Sequence, residues 1–126
     1  MTLDGVRGIA YNGTYFALAN SNSNSIYIWE GVPGVSDNPT YTLSNLSNLG
    51  RIAMNDTHLA IGCYPGGPGF KVIELSNLSS PIYMNVPGQD CPSEISFNDK
   101  GFFIPADDRI IAVSYTHLTL PTILLV

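Results

Sequence analysis

An all-β fold built from a repeated unit of four short strands is predicted by three observations in this 126-residue chain. Three segments superimpose without a gap at a spacing of 43 residues: RGIAYNGTYFALAN from Arg7, GRIAMNDTHLAIGC from Gly50 and SEISFNDKGFFIPA from Ser93. The units continue with further apolar runs in the same order. Glycine and proline recur throughout, 12 and 9 residues respectively, and no apolar stripe at helical spacing survives between them. Four short strands in about 43 residues fit one blade of a β-propeller, for which the period is roughly 40 to 50 residues. The expected fold is a partial β-propeller of about two and a half four-stranded antiparallel blades.

Each element has its own justification. Ile9, Ile52 and Ile95 coincide in the repeat, as do Tyr11, Met54 and Phe97, then Asn12, Asn55 and Asn98, then Phe16, Leu59 and Phe102. A short apolar run, an Asn-centred turn and a second apolar run make the pattern of a β-hairpin. Asn12-Gly13, Asn55-Asp56 and Asn98-Asp99 supply residues that tolerate the positive φ of tight hairpin loops. SIYIWEG from Ser25 and FKVIELS from Phe70 provide a third strand, and RIIA from Arg109 opens a third copy of it. TYTL from Thr40 and IYMN from Ile82 provide a fourth. Each follows a proline, Pro39 or Pro81, which cannot donate to a ladder and belongs at a strand start or an outer edge. In residues 8–11 and 15–18 apolar side chains occupy both parities, so both faces of the sheet are expected to be covered. The blades are expected over residues 6–48, 49–91 and 92–112, the last incomplete.

The end of the chain is expected to lie outside this fold. Val113 to Thr122, VSYTHLTLPT, resembles the conceptual translation of a transposase sequencing adapter, so residues 113–126 are taken as a non-native tail after a partial propeller of residues 1–112. The alternative is a genuine strand bearing Leu118, Leu120 and Leu124. A chain cut off in its third blade leaves two end faces bare. If about six side chains per face lose roughly 1.5 to 3 kcal/mol each, the deficit is on the order of 10 kcal/mol per face. Net domain stability is only about 5 to 15 kcal/mol. The expected partners are therefore the missing blades of the same polypeptide, and the isolated chain should associate or aggregate.

The first unit, GIAYNGTYFALANSNSNSIYIWEGVP, resembles the NHL-type propeller repeat, with an apolar start, a polar turn and an Ile-Trp strand followed by a Val-Pro turn. The second and third, FKVIELSNLSSPIYMNVPG onward, are similar to the bacterial LVIVD-type repeat. Together the resemblances cover about residues 6–112 and imply a propeller. Asn20 and Ser25 depart from the NHL-type pattern, which has an acidic residue after the second strand and a basic one before the third.

Composition narrows the function. The net charge is −5, and the five basic residues, Arg7, Arg51, Lys71, Lys100 and Arg109, are scattered, so no basic stripe exists to track a nucleic acid. No apolar run is long enough to insert in a bilayer. Abundant Asn, Ser, Thr and Gly with little Lys and Glu suggest an extracellular, cell-surface or periplasmic protein. Met1, almost directly before the first unit, is read as an internal residue, so the missing leader does not decide the compartment.

Cys63 and Cys91 are candidates for a disulfide worth roughly 3 to 4 kcal/mol in the loop-entropy model, or else two partly buried thiols. A bridge would favour an oxidising compartment. No cysteine has a partner at zinc spacing, and His58 is expected as a half-exposed strand residue. PGGPGFK from Pro65 lacks P-loop spacing. NSNSNS from Asn20 reads as a solvated loop, and Asp107 with Asp108 as a turn. No catalytic residue, metal or cofactor is expected.

Binding in a propeller belongs at the face of blade-to-blade loops, which here contributes Arg7, Arg51, Asp90 and Glu94. The expected function is a binding or scaffolding platform for an unknown protein or small-molecule ligand. The alternatives are a piece of a propeller hydrolase, lactonase or lyase whose catalytic groups lie mostly in missing blades, or a module of a surface adhesin. Fold alone does not choose among them.

Overall fold

The computed structural model describes residues 4–34, 36–63, 69–85, 95–105, 110–115 and 121–125. Three antiparallel four-stranded sheets follow one another along the chain. Sheet I comprises β1 (Val6–Tyr11), β2 (Tyr15–Asn20), β3 (Ser25–Glu30) and β4 (Tyr41–Leu43), in that spatial order. Sheet II comprises β5 (Leu49–Met54), β6 (His58–Cys63), β7 (Lys71–Glu74) and β8 (Met84–Asn85), and sheet III β9 (Ser96–Asn98), β10 (Gly101–Pro105), β11 (Ile110–Tyr115) and β12 (Pro121–Leu125). Among the described residues the only helical element is a single 3₁₀ turn, Leu75–Asn77.

Sheet III differs from the expectation of an incomplete unit followed by a tail outside the fold. Residues 113–115 continue β11 against β10, and β12 pairs with β11 from Ile111↔Leu125 to Tyr115↔Pro121. Backbone pairing needs only extended residues with available N–H and C=O groups, and the Thr, Ile and Leu of this stretch favour that conformation whatever their origin.

The hairpin turns form by a route other than the one expected. Gly13 has φ +93, but Asn55, Asp56, Asn98 and Asp99 are not left-handed; positive φ falls instead on Asn24, Asn45 and Asn48. The turn asparagines act through their side chains. Asn12 Oδ1 accepts from the backbone N–H groups of Thr14 (2.9 Å) and Tyr15 (2.7 Å), and Asn55 Oδ1 from those of Thr57 (3.0 Å) and His58 (2.8 Å). Asn98 Oδ1 accepts from Lys100 N–H at 2.8 Å. An Asn that mimics a backbone turn in this way satisfies the orphan donors without placing its own backbone in the strained region.

The other half of each amide reaches the next unit. Asn12 Nδ2 donates to the Asn55 carbonyl at 3.0 Å, and Asn55 Nδ2 to the Asn98 carbonyl at 3.1 Å, each across 43 residues of chain. One residue type at one repeat position thus closes its own hairpin and bolts it to the following sheet.

Parity in sheet II explains how the sheets stack. Ile52, Met54, Leu59, Ile61 and Ile73 point into a core shared with Ala17, Ala19, Ile26 and Ile28 of sheet I. Ala53, Ala60 and Val72, on the opposite parity, pack with Phe70 and with Phe102 of sheet III. All six residues of β6 are buried, as a strand covered on both faces requires. The outer sheets lack that double cover: Ile52 is 8% exposed, whereas its repeat equivalent Ile9 is 59% exposed, and Ala60 is fully buried where Phe103 is 37% exposed.

The free face of sheet I is nonetheless less bare than an open arc implies. Tyr11, Phe16, Trp29 and Tyr27 form a run of aromatic contacts with centroids 6.2, 6.0 and 6.4 Å apart. The β3–β4 loop folds back so that Trp29 Nε1 donates to the Asp37 carbonyl at 3.1 Å. Leu18 and Trp29 are buried on this face, leaving Ile9 and Tyr11 as its exposed part.

Candidate functional site

The first strands of the three units, β1, β5 and β9, lie side by side without pairing. Gly8 permits this approach: a Cβ there would sit 2.9 Å from Ile52 N and 3.1 Å from the Gly50 carbonyl oxygen. Repeat-equivalent residues consequently gather at each end of these strands.

At the strand starts, Arg7, Gly8, Ile9, Arg51, Ile52 and Ile95 line a cleft of about 150 Å³. The structure therefore brings together Arg7 and Arg51, two of the four binding candidates; Asp90 and Glu94 lie outside the described residues. Both guanidiniums are exposed, and Arg7 Nε donates to Ser21 Oγ at 3.2 Å. The register of β1 with β2 shifts between Val6 and Gly8, and that of β5 with β6 between Leu49 and Ile52. Each arginine thus sits on an irregular strand start, where a bulge re-aims a side chain away from the ladder. Two guanidiniums in one cleft, in a chain with five basic residues altogether, form a concentration of planar donors suited to a carboxylate or phosphate group.

At the opposite end a larger cleft, about 270 Å³, is lined chiefly by Tyr11, Asn12, Met54, Asp56, Phe97 and Asp99. Sequence reasoning missed this site because positions 11, 54 and 97 match core positions of the repeat. The available signal was the acidic residue after the turn asparagine in two units, Asp56 and Asp99, the second with the exposed aromatic Phe97 two residues before it.

The remaining candidates resolve individually. Cys63 is disulfide-bonded; Cys91, the other cysteine of the sequence, lies outside the described residues. Asp107, Asp108 and residues 64–68 of the Gly-rich segment also lie outside them. Asn20 and Ser25, the ends of the polar loop, are buried, and Asn20 Oδ1 accepts from Asn22 and Ser23 N–H at 3.0 and 3.2 Å. That loop is a side-chain-capped turn whose tip is solvated. Among the described residues no group of three or more His, Cys, Asp or Glu is placed to hold a metal, and no helix is long and apolar enough to cross a membrane.

His58 is buried, not half-exposed as expected. Its ring Nδ1 shares a 2.7 Å hydrogen bond with Thr57 Oγ1, and the residue pairs across the ladder with Glu74. Burial pushes its pKa below the ordinary 6.5, and Glu74 offsets part of the effect. The folded state then binds fewer protons than the unfolded state between the depressed value and 6.5, so stability is full above 6.5 and falls as pH drops through this window. The thermal midpoint should decline on acidification from neutrality, and His58→Asn should flatten that slope. An unchanged slope in the variant would assign the decline to other groups.

In comparison with known proteins, no family model matches the chain and no curated protein matches it.

Proposed function

We propose that the chain is a segment of a β-propeller that serves as a rigid binding platform, with the Arg7–Arg51 cleft as its contact for an anionic group of a protein or small-molecule ligand. Each four-stranded sheet is one blade, β1, β5 and β9 line the central channel, and the cleft lies at its mouth. The observation that carries this reading is the convergence of Arg7 and Arg51, from successive units, on one cleft of an acidic chain. Sheets that keep apolar register while varying at polar positions provide a stiff frame on which such loop-end residues can change freely. The Cys63 disulfide fits a protein of an oxidising compartment, extracellular or periplasmic, and Cys91 is its proposed partner.

Titration with inorganic phosphate, read by the Nε–Hε resonances of the arginines, tests the site. Saturable shifts at Arg7 and Arg51 that exceed those at Arg109, and that Arg51→Ala abolishes at Arg7, are expected. Equal, non-saturating shifts at all three arginines would remove the anionic-ligand reading.

A further inference from the structure

We infer that the cleft at the turn end of β1, β5 and β9 binds an alkylammonium group, the cationic end of a small amine or of a lysine side chain. It lies at the other end of these strands from the Arg7–Arg51 cleft and has the reverse chemistry.

Three successive repeat positions build it. The middle position carries Asn12, Asn55 and Asn98, and the first two are committed at both ends of the amide, to their own turn through Oδ1 and to the following unit through Nδ2. They hold the frame. The next position carries Asp56 and Asp99, which line the cleft as exposed residues, and among the described residues neither carboxylate has a hydrogen-bond or ion-pair partner. Two unpartnered carboxylates in one cleft of a chain with net charge −5 favour a cation.

The first position selects the kind of cation. Met54 is 1% exposed in the core between sheets I and II, whereas Phe97, its equivalent on β9, is 48% exposed and lines the cleft beside β5. A position that is core in one unit thus carries an open aromatic ring in the next, beside two carboxylates. The neighbouring strand is in place, so this exposure belongs to the cleft and not to an uncovered outer sheet. An aromatic face attracts an organic cation, which carries its charge on an apolar body. Calcium instead takes six to eight oxygen ligands, and among the described residues no group of three or more His, Cys, Asp or Glu is placed to begin such a shell. At about 270 Å³ the cleft takes an amine of a few carbons.

Titration of the full chain with n-butylammonium chloride at constant ionic strength, read by the ring resonances of Phe97, tests the site. Saturable shifts are expected. Asp56→Asn and Asp99→Asn should each raise the Kd about 5-fold, and both together more than about 20-fold. Asp4→Asn should leave it unchanged, because Asp4 precedes Gly5, whose carbonyl accepts from Ser21 N–H at the far end of the β1–β2 hairpin. Phe97→Leu keeps an apolar side chain but removes the π face, and should raise the Kd about 3- to 5-fold. The neutral analogue n-butanol should give no saturable shift. A lysine tripeptide blocked at both ends separates the two sources of the ammonium: tighter binding than the amine assigns a protein partner, and binding no tighter assigns a small amine. Butanol binding as well as the amine, displacement of the amine by an equal concentration of calcium, or a Kd unmoved by the Asp56→Asn, Asp99→Asn double change would overturn the assignment. The phosphate titration of the Arg7–Arg51 cleft reads other residues, so the two sites stand or fall separately.

Discussion

Replacing Asn55 by alanine should destabilise the protein by about 3 kcal/mol, a fall of about 10 °C in thermal midpoint. Asn55 is 4% exposed, and its side chain serves two sheets at once. Its Oδ1 accepts from Thr57 N–H, His58 N–H and the Thr57 hydroxyl, at 3.0, 2.8 and 3.2 Å, while Nδ2 donates to the Asn98 carbonyl at 3.1 Å. Alanine leaves the buried His58 N–H without its acceptor, and an orphaned buried donor costs about 1 to 3 kcal/mol, more than the gain from forming the bond. Asn55→Asp separates the roles, because it keeps the turn acceptor and loses the donor to sheet III. In place of that donor it sets a buried carboxylate oxygen against the Asn98 carbonyl oxygen, so it should cost no less than alanine. The same change at Asn12, half-buried, should be milder, and at Asn98, exposed, milder still. Equal effects at all three positions, by denaturant melts, would show that the inter-sheet ladder contributes nothing.

Gly50→Ala should be at least as damaging, about 3 kcal/mol or more, through a steric mechanism. A Cβ at Gly50 would stand 2.7 Å from both the carbonyl carbon and the oxygen of Cys63, and 3.1 Å from its Cα. These are backbone atoms of the buried strand β6, so no rotamer change relieves the clash. The disulfide at Cys63 further restrains the segment that would have to yield. Gly31→Ala is the control: that residue has φ +78 but nothing within 4 Å of the added methyl. Its cost is conformational strain alone, about 1 kcal/mol. Comparable losses for the two variants would mean that β5 has room to move away from β6.

The repeat was the most legible part of the chain. Apolar register at 43 residues specifies which positions are equivalent, and hydrophobic parity specifies that a middle unit is covered on both sides; sheet II has that pattern. Polar burial was harder to read. His58 and Asn20 look solvent-facing by residue type, yet a neighbouring hydroxyl at 2.7 Å and two turn N–H groups satisfy them inside. Whether a turn asparagine works through its backbone or its amide also depends on geometry that composition does not encode, which is why the expected left-handed residues at 55, 56, 98 and 99 are absent. The partial cover over sheet I depends on the β3–β4 loop returning to Trp29, a tertiary contact without periodicity. Arg7 and Arg51 were legible only as members of one loop-face set with Asp90 and Glu94; that the two arginines line one cleft depends on β1 lying beside β5. The aromatic and acidic cleft at the other end escaped notice because its rings stand at core positions.

Nuclear Overhauser contacts between side chains of the labelled full chain test the stacked-sheet arrangement most directly. Cross-peaks should join the methyl groups of Ala17, Ala19, Ile26 and Ile28 to those of Ile52, Met54, Leu59 and Ile61, and a second set should join Ala60 and Val72 to the Phe102 ring. Backbone contacts of a β ladder running directly between β1 and β5, with the first set of methyl cross-peaks missing, would contradict it.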